Sequence, residues 1–334
     1  MTIREQGEDW TEAYRQSEDV HKRLRDEVEF TLEAALKDAE IKVHAIPVRV
    51  KTLPSFLEKI QRKDYPNPLD DMGDIVAGRV VCLFIEDIPK VEKLIRRTFD
   101  VIGYEDKAKA ASPEIWHYAS VHFDCKLRDA HKGPRYDPLK DRRFELQVRT
   151  ILQDAWAAVD HHLAYKGEES IPNELKRDFS ALAGLFHVAD KTFQQINYAS
   201  QNLDKQAEQL LQTLIEGRSQ AVISGDTTDA TIDRSTTKAL LRELYPDRKS
   251  ADDLIYSQFV TELTMAEITS ILSLRDLLEE GRSKAEKSEE KTPPMDLSTK
   301  SRIRFNDVGF ARRTLSLVTP NFARIRKSRR SQLE

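Results

Sequence analysis

The stretch Phe144-Glu145-Leu146-Gln147-Val148-Arg149-Thr150 alternates apolar and polar side chains over seven residues. That is the period-two pattern of a strand with one buried face. Phe144, Leu146 and Val148 face a core, and Glu145, Gln147 and Arg149 form a row on the other side. A carboxylate, an amide and a guanidinium in one row are costly to bury unless something charged meets them. A solvated face of an antiparallel sheet explains such a row when it stands alone. Here comparable rows recur three times upstream, which shifts the balance towards a binding face.

The 334 residues suffice for one large domain or two ordinary ones. Charged residues make up 33% of the chain, above the roughly 25% usual for soluble domains, and no apolar run reaches membrane-spanning length. The first twenty residues are polar and acidic, without a signal-peptide core. A net charge of −4 leaves only local patches for nucleic acid. Cys82 and Cys125 lie in strand-like runs without partners at metal-ligand spacing, and read as core thiols of a reduced, cytoplasmic protein.

Read in order, residues 10–41 repeat Val20, Leu24, Val28, Leu32 and Leu36 at helical spacing. Residues 43–51 turn to strand character, with Arg49 and Lys51 on one face and Val48 and Val50 on the other. After Pro54, Ser55 and Lys59 share a face of a short helix. Arg49, Lys51, Ser55 and Lys59 thus converge at a strand end and a helix start, a setting that favours phosphate over a plain basic patch only when other groups join it. Asp70, Asp71 and Asp74 precede the apolar run 76–85, which suits a central strand and carries Arg79 as its one charge. A crossover helix over 89–99 and a strand from Val101 follow. Lys107 and Lys109 sit in a loop, and Tyr118, Ser120 and His122 form another period-two row, suited to base stacking and phosphate contact. Beyond Thr150 the pattern is helical through Ile151, Ala155, Trp156, Val159 and Leu163, then again over 173–198. Both helices are expected on the sheet's apolar side. The fold class is therefore α+β: a mixed, mainly antiparallel sheet with helices on one side, an open polar face, and a helical C-terminal region.

The ordered motifs resemble the synthetase domain of the RelA/SpoT family over residues 10–195. They are R-x-K-x-x-x-S-x-x-x-K (Arg49, Lys51, Ser55, Lys59), D-x-x-x-G-R (Asp74, Gly78, Arg79), Y-x-S-x-H (Tyr118, Ser120, His122) and E-x-Q-x-R-T (Glu145, Gln147, Arg149, Thr150). Trp156, Ala157, Asp160, His161, Tyr165 and Lys166 continue the pattern. The resemblance implies transfer of pyrophosphate from ATP to the 3′ hydroxyl of GDP or GTP, with Mg2+ as cofactor. It implies Asp74 and Glu145 as magnesium carboxylates, with Glu145 also taking the acceptor's proton. Arg49 and Arg79 would sandwich the adenine, and Lys51, Ser55 and Lys59 would hold the ATP phosphates. Lys107, Tyr118, His122, Gln147 and Arg149 would surround the acceptor and the transferring group.

Two residues depart from the family pattern: His117 replaces a glycine, and Ala119 a residue that is usually basic. They leave the donor half intact and put acceptor identity in question. A relative acting on the 3′-CCA end of tRNA is one alternative, and an inactive nucleotide- or RNA-binding regulator is another; retention of Asp74 and Glu145 speaks against the latter. The family's hydrolase would need a His-Asp pair, and the chain has no His-Asp dipeptide. The adjacent His161 and His162 point different ways on a helix, which disfavours a shared metal.

Domain boundaries are expected at 1–198 for the synthetase region, 199–278 for a helical module and 279–334 for a mostly disordered basic tail. Within this part, 219–237 reads as a flexible polar connection, and 239–244, 251–263 and 266–278 as short helices. The module is read as a packing appendage, with a homo-oligomer contact or a partner site as alternatives. The cluster 324–330 (RIRKSRR) leaves contact with RNA, contact with a phosphate-rich partner and simple solvation open. No membrane partner is expected.

Overall fold

The computed structural model describes residues 3–63, 65–107, 120–164, 172–221, 230–291 and 305–330. It divides into two compact units, Met1–Ile196 and Asn197–Glu334.

The first unit opens with α1 (Ile3–Asp38), in which Leu24, Val28, Leu32 and Leu36 recur every fourth residue and are buried. Pro47 separates β1 (Val43–Ala45) from β2 (Val48–Val50), so the expected single strand is two short ones. Then follow α2 (Leu53–Arg62), α3 (Pro68–Asp71), β3 (Val76–Cys82), α4 (Asp87–Thr98), β4 (Asp100–Asp106), β5 (Val121–Lys126), β6 (Phe144–Thr150) and α5 (Ile151–Ala164). The six strands form one sheet in the order β1-β3-β6-β5-β4, with β2 also on β3. Only β3 and β6 pair in parallel; every other pairing is antiparallel. The mixed, mainly antiparallel sheet is the one the strand patterns predict.

Strand alternation decides the two faces. Val76, Val80, Cys82, Phe123, Cys125, Phe144, Leu146 and Val148 join Leu24, Val28 and Leu32 of α1 and Val91, Leu94 and Ile95 of α4 in one core. Gly78 is needed there because a Cβ would stand 2.9 Å from Leu146 Cδ2 and 3.3 Å from Val48 Cγ2. Both cysteines are free and buried, and burial pushes their thiols well above the usual range, Cys82 to about 12.

One expectation is corrected here. The helices on the apolar side are α1 and α4, whereas α5 turns Ala157, Ala158 and His161 to a cavity on the polar face. Its apolar anchor, Trp156, packs instead on Phe179 and Phe186 of α6 (Lys176–Ala221), at ring separations of 4.4 and 5.9 Å. Helical spacing shows that a face is apolar but not what covers it. The helix expected over 173–198 and its continuation at 203–215 are one helix of 46 residues, entered through a 3₁₀ turn at Asn173–Leu175.

The second unit collects α7 (Arg234–Leu244), α8 (Asp253–Met265), α9 (Ile271–Glu290), α10 (Asp307–Val318) and α11 (Pro320–Arg330) around Leu240, Phe259, Leu274, Phe310 and Phe322. Residues 234–237, expected in a flexible connection, are the first turn of α7, closed by a capping box between Asp233 and Thr236. The expected disorder from 279 onwards is corrected where the chain is described: α9 runs to Glu290, and Asp307–Val318 and Pro320–Arg330 are helical, while 292–304 and 331–334 lie outside the described residues. Buried charge pairs outweigh the polar composition. Arg248 meets Glu289 at 2.7 and 2.9 Å, lies over the Phe310 ring and donates to the Phe305 carbonyl; Arg312 grips Glu262 at 2.8 and 2.9 Å. The Tyr256 hydroxyl donates to Asp307. Glu289→Ala leaves Arg248 buried without its carboxylate and is expected to cost about 3 kcal/mol of stability. The denaturant midpoint should fall; an unchanged midpoint would mean that the 305–330 segment is not held by this pair.

Candidate active site

The polar face is built by register. β3 and β6 run in parallel with Ala77 opposite Glu145, Arg79 opposite Gln147 and Val81 opposite Arg149. β2 sets Arg49 opposite Ala77, and β5 sets His122 opposite Gln147. Arg49, Arg79, Gln147 and Arg149 therefore line one cavity of about 350 Å³, closed by Pro47, Ala157, Ala158 and His161. Gln147 and Arg149, expected around the acceptor, share this cavity with the two arginines expected around the donor base.

Two lysines, an aspartate and a capped helix start follow directly after β2 and before β3. Thr52 caps α2, its Oγ1 accepting from Ser55 N and donating to Ser55 Oγ. Lys51 Nζ is 3.1 Å from Asp74 Oδ2, and Lys59 Nζ is 2.7 Å from Asp74 Oδ1. Oδ1 is buried and lies within charge-assisted hydrogen-bond distance of that ammonium. Behind Lys51, the Tyr14 hydroxyl donates to the Lys51 carbonyl.

Glu145 is the most connected member. Its Oε1 lies 2.6 Å from His122 Nδ1 and accepts from Gln147 Nε2 at 2.7 Å. Burial pushes its carboxyl up, but the hydrogen bonds of His122 and Gln147 and the charges of His122 and Lys59 outweigh burial and hold it at about 2. Lys59 pairs with Asp74, and its charge is the least of the influences that lower Glu145. On the far side of His122, Nε2 lies 2.7 Å from Ser120 Oγ. Lys107 is exposed at the end of β4, where its N–H donates to the Ser120 carbonyl. Tyr118 lies outside the described residues, as do His117, Ala119, Lys109, Tyr165 and Lys166.

Among the described residues no group of three or more His, Cys, Asp or Glu side chains could hold a metal ion. Asp74 and Glu145 come without a thiolate or a cluster of three ligating side chains, a donor set that suits magnesium better than zinc, because magnesium binds through one or two carboxylates and completes its shell with water and phosphate.

Motif reading missed the role of Asp154. Its Oδ1 stands 3.0 Å from Arg79 Nη1 and 3.5 Å from Arg149 Nη1. Arg149 in turn donates to Gln147 Oε1. The available signal was Thr150-x-x-Gln153, a capping box that starts a helix directly after the strand.

The family model described as the region found in RelA / SpoT proteins matches residues 48–170. The chain is 30% identical over 149 residues to the GTP pyrophosphokinase YjbM of Bacillus subtilis, covering 42% of this chain and 65% of that protein. It is 28% identical over 147 residues to the GTP pyrophosphokinase YwaC of the same organism, covering 43% and 68%. The match therefore spans just under two thirds of the first relative. Among solved structures, small alarmone synthetase 1 from Bacillus subtilis is 24% identical with a TM-score of 0.48, over 57% of this chain and 98% of that one. A GTP pyrophosphokinase family protein from Streptococcus pneumoniae is 22% identical with a TM-score of 0.48, over 60% and 97%. The matched segment contains the site residues from Arg49 to His161, so the resemblance to the region found in RelA / SpoT proteins lies on the strands and helices that build this face.

Proposed function

We propose that this protein transfers pyrophosphate from ATP to the 3′ hydroxyl of GDP or GTP, releasing AMP. The observation that carries the reading is one polar sheet face that sets a cavity lined by Arg49, Arg79, Gln147 and Arg149 together with the Asp74–Lys51–Lys59 cluster and the Glu145–His122–Gln147 cluster. The names of the curated relatives, both GTP pyrophosphokinases, support the same reading.

In this reading Arg49 and Arg79 take the adenine, while Lys51, Ser55 and Lys59 take its phosphates. The acceptor's 3′ oxygen bonds to the β-phosphorus as the bond between that phosphorus and the α,β-bridging oxygen breaks, so AMP leaves. Glu145, ionised at neutral pH, accepts the hydrogen bond of the 3′ hydroxyl and takes its proton as the new bond forms. Asp74 and Glu145 are the residues that would hold magnesium, whose charge offsets the charge growing on the phosphate oxygens. Lys107, Tyr118, His122, Gln147 and Arg149 serve the acceptor side. The buried free thiols Cys82 and Cys125 suit a reducing, cytoplasmic setting.

Incubation with β-labelled ATP and magnesium, offering GDP, GTP or bulk tRNA separately, tests the proposal. Label is expected in a guanosine nucleotide. Label in tRNA alone would move the acceptor to an RNA 3′ end, and label in no product would remove the transferase reading.

A further inference from the structure

One acid from outside the strands reaches two of the arginines that line the cavity. Asp154 sits in the first turn of α5. Its place is fixed by a reciprocal cap: Thr150 Oγ1 accepts from Gln153 N at 3.1 Å, and Gln153 Oε1 accepts from Thr150 N at 2.8 Å. The same Thr150 hydroxyl donates to the buried Asp190 at 2.6 Å. The helix start is therefore locked to the end of β6, and the Asp154 carboxylate is delivered to the polar face without freedom to wander.

There it meets two like charges. The Arg79 side chain is 37% exposed and that of Arg149 only 7%. Burial disfavours the charged form of Arg149, and the positive charge of Arg79 opposes it further, whereas Asp154 and Glu145 support it. A buried arginine beside a second arginine needs a shared anion. Asp154 supplies it, and the chain continues from Arg149 to Gln147 and from Gln147 to Glu145.

We infer that Asp154 is a positioning residue for the donor nucleotide: it holds the Arg79 guanidinium against the cavity wall and neutralises the Arg79–Arg149 pair. This rests on the proposed function for the identity of the donor. Arg79 is the more exposed of the pair and has the room to swing out once its anion is gone. Arg149 keeps its Gln147 contact, so the carboxylate row is disturbed less. The effect should therefore fall on donor binding more than on turnover.

The experiment compares wild type, Asp154→Asn and Asp154→Glu by steady-state kinetics in ATP, by calorimetric binding of a non-hydrolysable ATP analogue without acceptor, and by thermal melting. Asp154→Asn keeps size and hydrogen-bonding capacity but loses the charge. It is expected to raise the ATP KM and the analogue Kd by about tenfold or more, the scale of one charge-assisted hydrogen bond, with kcat reduced less than KM is raised. Asp154→Glu should recover a large part of the affinity. A KM and Kd within twofold of wild type in Asp154→Asn would overturn the inference. So would a loss confined to kcat and melting temperature, because a purely architectural role would lower the folded fraction without moving affinity. If wild type transfers label to no acceptor, the proposed function fails, and the calorimetric arm still decides the role of Asp154.

Discussion

Replacing Glu145 by Gln is expected to lower the transfer rate by about 10³-fold, within the range spanned by the loss of a positioned proton acceptor, while binding of ATP to the arginine cavity changes little. The substitution is close in size, so the fold and the neighbouring contacts survive. What disappears is a negative charge. In the native protein His122 and Gln147 both engage Oε1, and together with Lys59 they keep the group ionised throughout the neutral range. A neutral amide can neither accept the hydroxyl proton nor share a cation with Asp74. Single-turnover rates with labelled ATP give the chemical step, and equilibrium binding of an ATP analogue gives the other half. Full activity in this variant would remove Glu145 from the chemistry. Loss of both rate and donor affinity would assign it to binding instead.

Asp74→Asn is the second large effect, and its signature differs. Asp74 neutralises Lys51 and Lys59 at once, and Lys51 is almost fully buried. Without the carboxylate, transfer in magnesium is expected to fall by about 10²-fold or more, the scale set by removing one electrostatic stabiliser from a closed site, and the magnesium concentration for half-maximal rate should rise. Binding of ATP in the absence of divalent ions should tighten, because two ammonium groups then lack an internal counterion and are free for phosphate. A variant that loses both metal-dependent rate and metal-free affinity would show that Asp74 works by holding the lysines in place, not by holding a cation. The opposite shifts of the two measurements are what the cation role requires.

Much of this site was legible in the residues because period two is hard to mistake when one face is apolar. The rows at 49–51, 120–122 and 145–149 each reveal which side chains lie together, and Gly78 beside Arg79 marks a strand where neighbours pack too closely for a Cβ. What single rows cannot reveal is their relative register. The contact of Asp154 with Arg79 spans 75 residues and depends on which strand lies beside which, so the helical pattern after Thr150 does not disclose it. The misplacement of α5 has a similar origin: Trp156 is a core residue under either assignment, and only the partners Phe179 and Phe186 decide between them. The C-terminal helices were hidden for another reason. Segment 305–330 is so basic that composition argues for solvation. Yet Arg248 and Arg312 are held by the buried acids Glu289 and Glu262, and Phe310 and Phe322 fill the core between the helices. Charge content is a poor guide to order when a few buried ion pairs and aromatic side chains anchor the segment.

The single parallel pairing in this sheet has a geometric consequence for chemistry. Because β3 and β6 ascend side by side, Asp74, just ahead of one strand, and Glu145, near the start of the other, fall at the same rim. Had those neighbours run head to tail, the rise of about 3.3 Å per residue over their length would have carried the second acid roughly 20 Å away, beyond the span of any one ion. Strand direction, which no side chain spells out, is what sets both acids at one rim of the sheet.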